Sequence, residues 1–181
     1  MRQPTTGAAS RKPRAGTHVF RVRLEPRVYR DIEIESGKSL YDLAAAIVRA
    51  FGFDLDHAFG FFSKLDYHVF DSPVRYELFA DMGPDPGSKA RSVKRTKVAE
   101  AFPKVGSKLQ FLFDYGDDWR FQVEMIGMGE KAAKTRYPKV LAEVGEAPPQ
   151  YPDPDEEEDE DAWPPDKANL QPRPTTVAPQ H

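Results

Sequence analysis

The stretch Phe111-Leu-Phe-Asp-Tyr-Gly-Asp-Asp-Trp-Arg-Phe121 (FLFDYGDDWRF) sets two aromatic-rich runs on either side of an acidic turn, and its register decides the fold. Leu109, Phe111 and Phe113 share one face of the first run; Trp119, Phe121, Val123 and Met125 share one face of the second. A one-residue slip would send the two sets to opposite sides of a sheet. Matching them requires Phe113 opposite Trp119, Phe111 opposite Phe121 and Leu109 opposite Val123. Cross-strand aromatic pairs of this kind contribute roughly 0.2–1 kcal/mol each. The same register puts Asp114 against Asp118 across the mouth of the turn, away from the core. Two carboxylates there repel unless a cation, a proton or Arg120, diagonal to Asp114, relieves them. Tyr115-Gly116-Asp117 bridges the pair, and Gly116 is free to take a positive φ.

Outward from this hairpin, Val19–Glu25 and Val28–Glu35 alternate, with Phe20, Val22 and Leu24 on one face and then Ile32 and Ile34. Only Pro26-Arg27 separates them, so they predict an antiparallel hairpin. Ser39 followed by Asp42 resembles a capping box. Leu40, Leu43, Ala44, Ile47 and Phe51 follow at helical spacing, and Gly52 suits the C-terminal cap. Ala58–Lys64 and Arg75–Ala80 read as strands, and Met82–Ala90 as a loop by its Gly and Pro content. Thr96–Phe102 reads as a short helix capped by Thr96 and closed before Pro103. After the central hairpin comes a less regular end. Strands, one helix and more strands give an α+β class: a mixed sheet packed on one main helix, β-grasp-like.

A chain of 181 residues fits one domain with tails. Residues 1–16 are small, polar and basic and read as a flexible arm. Nine of the seventeen prolines follow Ala147, mixed with eight acidic residues between Asp153 and Asp161. Residues 150–181 therefore read as a disordered acidic and Pro-rich tail, leaving a domain over 17–149. The net charge is −3; without those eight negative charges the rest carries +5. The absence of cysteine excludes disulfides, a thiol nucleophile and cysteine-ligated zinc. No apolar run reaches signal length or the roughly 20 residues of a membrane span, which points to a cytoplasmic protein.

Tyr115-Gly-Asp-Asp118 invites comparison with the magnesium-holding turn of nucleic-acid polymerases, and Asp66 and Asp71 offer a second carboxylate pair. The chain has no room for the fingers and thumb that grip a template. Two readings remain. In one, Asp114 shapes an Asx-type turn, Asp118 is exposed and Trp119 anchors the core. In the other, His57, Asp114, Asp117, Asp118 and Trp119 form a binding rim, with oxygen ligands suited to magnesium, calcium or manganese. Lys89, Arg91, Lys94, Arg95 and Lys97 form a basic cluster able to contact nucleic-acid phosphates. No P-loop, Rossmann glycine pattern, zincin helix or nucleophile elbow is present, so no catalytic residue and no cofactor is assigned.

Asp114-Tyr-Gly-Asp-Asp-Trp119 after a Phe-rich strand resembles the Asp-Phe-Gly-Asp-x-Trp signature of the plasmid pRiA4b ORF-3-like family. Ser39-Leu-Tyr-Asp-Leu43 is similar to that family's helix start, and Phe51-Gly-Phe53 with His57 and Phe61 to its Gly-Trp and His-x-His-x-Phe landmarks. Tyr137-Pro138 and Ala147-Pro-Pro149 are similar to its closing segment. The resemblance spans Thr17 to Pro149. It implies an α+β fold and a place on plasmids or among insertion-sequence passengers, where TnpR-like proteins are found. This chain carries Phe59 and Phe121 where the family has histidines, and lacks the family's cysteines near the closing Pro-Pro. The expected function is therefore a non-catalytic binding module with a protein or nucleic-acid partner. The alternative is a divalent-metal-dependent hydrolase using Asp114, Asp117, Asp118 and His57.

Overall fold

The computed structural model describes residues 16–82 and 89–151. The arm over 1–15, residues 83–88 of the expected loop and the tail from 152 onward lie outside the described residues. In chain order the elements are β1 (Gly16–Glu25), β2 (Val28–Glu35), α1 (Leu40–Ala50), β3 (Phe59–Phe62), a 3₁₀ turn (Val69–Asp71), β4 (Arg75–Glu77), β5 (Arg91–Ser92), α2 (Val98–Ala101), β6 (Lys108–Phe113), β7 (Trp119–Glu130) and β8 (Lys139–Val144). The strands form one sheet in the order β5-β4-β3-β6-β7-β1-β2-β8. Only β4 and β5 run parallel, so the sheet is mixed. With one main helix, this is an α+β architecture.

The central hairpin has the expected register: Phe113 pairs with Trp119, Phe111 with Phe121 and Leu109 with Val123. β1 and β2 pair antiparallel across Pro26-Arg27, with Phe20 opposite Ile32. Because side chains alternate across a pleated sheet, Phe20, Val22, Ile32, Ile34, Phe111, Phe121 and Val123 all face one side. They meet Leu40, Leu43, Ala44 and Ile47 of α1 in a single buried cluster. Ring contacts knit it together, among them Phe51 on Phe121 at 4.9 Å and Phe20 on Phe102 at 4.7 Å. The alternate residues Phe62 and Leu112 point to the other side of the sheet. There they form a second, small cluster with Val69 of the 3₁₀ turn.

Helix α1 is set at both ends by its sequence. Ser39 Oγ accepts from the Asp42 amide at 3.1 Å, and the Asp42 carboxylate accepts from the Ser39 amide at 2.9 Å. At the other end Gly52 takes φ 79°, the Phe53 amide donates to Val48 C=O at 2.9 Å, and the Gly52 amide donates to Arg49 C=O at 3.1 Å. This is a Schellman closure. Arg30 lies on the core side of β2, its guanidinium 4.8 Å from the Phe51 ring centroid. It donates to the carbonyls of Ala50, Val144 and Gly145 at 3.0–3.1 Å, joining the end of α1 to the end of β8.

Several expectations are corrected. The cap of α2 is Lys97, not Thr96. Thr96 is buried, and its carbonyl accepts from the Leu40 amide at 3.0 Å, tying the starts of the two helices together. The strand expected over Arg75–Ala80 ends at Glu77, where the chain turns, and that over Ala58–Lys64 is confined to Phe59–Phe62. The irregular end contains β8, whose side chains are mostly exposed and so carry no alternating apolar signal. Gly16, read with the arm, opens β1, and Gln150, read with the tail, is buried.

Candidate functional site

The turn after β6 resolves the Asp114 and Asp118 question. Neither residue is in extended conformation: φ is 53° at Asp114 and 57° at Asp118, and Gly116 is not the residue with positive φ. Aspartate tolerates this region better than most residues because its short side chain can bond locally. Asp114 Oδ1 accepts from the amides of Gly116 at 2.9 Å and Asp117 at 3.3 Å, an Asx-type turn. The Asp118 amide donates to Asp114 C=O at 2.8 Å, closing the loop. Asp114 is buried rather than turned to solvent. Arg120 relieves Asp118, through Nε at 2.8–2.9 Å and Nη2 at 2.8 Å, and not Asp114 as the diagonal register suggested.

His57 serves Asp114 instead. Its Nδ1 lies 2.8 Å from Asp56 Oδ1 and 3.5 Å from Asp114 Oδ2, and its ring stands edge-on to Phe113 at 6.4 Å. The bond to Asp56, with the charges of Asp114 and Asp117 nearby, raises the His57 pKa above its ordinary value. Gln150 completes this end of the domain. Its carboxamide accepts from the Asp54 amide at 2.7 Å and donates to Asp54 C=O at 3.2 Å and to Asp56 at 3.1 Å. Asp117 is exposed, and its amide rather than its carboxylate bonds to Asp114. Trp119 packs edge-to-face on Phe53 at 4.8 Å, and its Nε1–H is buried with no hydrogen-bond partner. Among the described residues no group of three or more His, Asp or Glu is placed to hold a metal ion.

The basic cluster is elsewhere, on and around β5, with β4 and β3 between that strand and β6. Lys89, Arg91, Lys94, Arg95 and Lys97 are all exposed. Arg95 pairs with Asp81, Lys94 lies 5.8 Å over the Tyr41 ring and Arg91 lies 6.0 Å over Tyr76. The structure thus does not bring this cluster to the hairpin turn.

A feature absent from the sequence reading lies on the sheet face opposite α1. The 63–74 loop closes Val69 over Phe62 and Leu112 and leaves the neighbouring part of that face open. There a groove of about 580 Å³ runs between Leu65-Asp66-Tyr67 on one side and Leu24-Glu25-Pro26 on the other. Its floor is a row across three adjacent strands: Gln110 of β6, Gln122 of β7 and Arg23 of β1 stand side by side in register. Arg120 lies one step along β7, held by Asp118, by the Asp66 carbonyl at 3.1 Å and by the Tyr67 ring at 4.9 Å. Gln110 is only 6% exposed, and among the described residues none hydrogen-bonds its carboxamide. In sequence the only trace is polar residues at alternate positions of otherwise apolar strands, which ordinarily mark a solvated face.

These features define a class: an α+β domain on a mixed eight-stranded sheet, with its one main helix on a single face. The chain belongs to the plasmid pRiA4b ORF-3-like protein family, whose profile matches residues 18–151. Among solved structures it is similar to a protein of unknown function, MM3350, from Methanosarcina mazei Go1. The two share 19% identity and a TM-score of 0.62, over 77% of this chain and 76% of that one. That likeness concerns the fold. No curated protein matches the chain.

Proposed function

We propose that residues 17–149 act as a non-catalytic binding module of the cytoplasm, associated with plasmids or mobile elements. The observation that carries this reading is the division of labour between the two ends of the central hairpin. At the turn, the carboxylates that would do chemistry are occupied within the chain: Asp114 by two amides and His57, Asp118 by Arg120. On the open sheet face, by contrast, the Gln110 and Gln122 carboxamides line the groove with no hydrogen bond from the described residues. Carboxamides that open onto a groove without a protein partner are completed by water or by a ligand. The family description supports the plasmid association. The exposed basic cluster on and around β5 is a second surface available to a nucleic-acid partner.

The alternative, a divalent-metal-dependent hydrolase at the turn, predicts a different response. Thermal melts of the full chain in magnesium, calcium and manganese should superimpose on the metal-free curve. A stabilisation that saturates with metal and disappears in Asp114→Asn would replace the binding reading with the hydrolase.

A further inference from the structure

We infer that the groove on the open sheet face is a nucleobase-binding site, and that it recognises the base rather than a phosphate. The inference rests on the reading of the domain as a binding module and names the ligand class. Four observations converge. First, Gln110, 6% exposed as a residue, lines the groove, and its carboxamide opens onto it with no hydrogen bond from the described residues. Second, Gln122 pairs directly with it across the ladder, so two carboxamides sit on neighbouring strands, about 4.8 Å apart in backbone spacing. A carboxamide presents one donor and one acceptor face, the pattern that matches the amide-like edge of a nucleobase.

Third, the groove has an aromatic wall of the right kind. Tyr67 is 81% exposed, and the Arg120 guanidinium covers its ring at 4.9 Å. Arg120 is itself fixed by Asp118 and the Asp66 carbonyl, so the tyrosine–arginine pair is a preset platform for a flat ring. Leu65 and Leu24 supply apolar edges. Fourth, the charges cancel. Arg23 and Arg120 line the groove with Glu25 and Asp66, and Arg23 is already paired with Glu124 at 3.2 Å. A phosphate would find no net positive field there, whereas a neutral heterocycle loses nothing by it. A peptide would supply the amide edge but would make no use of the stacking platform.

The base could come as a free nucleoside or nucleotide, or as part of a single strand. The test is isothermal titration of the full chain with the four nucleosides, their 5′-monophosphates and mixed-sequence single-stranded decamers, each at low and high salt. At least one nucleoside should bind, and its monophosphate should bind within about threefold of it, with little dependence on salt. Tyr67→Ala, at an exposed position that leaves the core intact, should weaken binding by about 5- to 150-fold, the range for losing one stacked base. Gln122→Ala should weaken it by about tenfold, and Lys104→Ala, exposed in the loop before β6, should leave it unchanged. A decamer tighter than every nucleoside identifies a single strand as the source; equal affinities identify the free base. No heat from any nucleoside or decamer overturns the inference. So does binding that Tyr67→Ala and Gln122→Ala both leave unchanged, or affinity that requires phosphate and collapses with salt. A flat result here with flat metal melts rejects the nucleobase alone; metal stabilisation lost in Asp114→Asn rejects the binding module itself.

Discussion

Replacing Trp119 separates two roles of one side chain. Its ring packs on Phe53 and pairs across the ladder with Phe113, while its buried Nε1–H has no partner. Truncating a buried aromatic to alanine costs about 3–5 kcal/mol, from lost transfer energy and the cavity left behind. Leaving a buried donor unsatisfied costs about 1–3 kcal/mol, and both Trp119→Ala and Trp119→Phe remove that donor. Because Trp119 is partly buried and the two terms offset, the alanine variant should lose about 2 kcal/mol. The phenylalanine variant keeps the stacking ring and gives up roughly two carbons of packing, about 1.5 kcal/mol, against the same relief. It should fall within about 1 kcal/mol of wild type, on either side. Equilibrium urea unfolding at 25 °C, with unchanged slope as the check on two-state behaviour, measures both. If Trp119→Phe costs as much as Trp119→Ala, the indole N–H contributes a bond in the native state, and the account of Trp119 as an anchor by its ring alone is refuted.

Three further predictions concern the turn, the histidines and β8. Asp114→Asn with Asp118→Asn should lower stability by about 1–2 kcal/mol in metal-free buffer, since each carboxylate has a partner to lose; a higher melting temperature would show that the two charges repel after all. Stability should peak near pH 6.5 because two histidines act in opposite senses. Burial lowers the pKa of His18, which bonds Ser36 at 2.8 Å and Phe102 C=O at 3.2 Å, so below about 6.5 the unfolded chain takes up the proton first and stability falls. His57, raised by Asp56, contributes stability below about 6.5 that is lost as pH rises through its folded pKa, and His57→Ala should flatten that limb in a melting-temperature profile. Gly145→Ala should cost about 2–4 kcal/mol by chemical unfolding, because φ is +74° and the added Cβ would run into Arg27 C=O; a neutral result would place this bend wrongly.

The hairpin and helix were legible because their signals are local. A register slip at Phe111 and Phe121 would turn one strand's two core aromatics to the opposite face, and Ser39 with Asp42 leaves few alternatives for where α1 begins. The partners of Asp114 and Asp118 were not legible. The alternation that placed them opposite each other stops where the backbone turns left-handed, and His57 reaches Asp114 from a loop 57 positions away. β8 was missed for the opposite reason: its place is decided by backbone pairing to β2 and by Arg30, neither of which leaves a periodic pattern in its own residues. The groove was missed because Gln110, Gln122 and Arg23 come from three strands and look, one at a time, like ordinary solvent-facing positions.

Arg30 gives β8 an unusual standing in the sheet. Val140, Leu141 and Val144 are 39–46% exposed and none belongs to the buried core, so the strand is fastened mainly by ladder bonds and by one guanidinium gripping Val144 and Gly145. Detaching it would uncover little apolar surface, and local openings of that kind have low free energy. Amide protons of β8 should then exchange with solvent well before those of β1 and β7, which part only when the core does. Early exchange there would mark β8 as an edge strand on a latch, the latch being Arg30 where it joins the end of α1 to the end of β8.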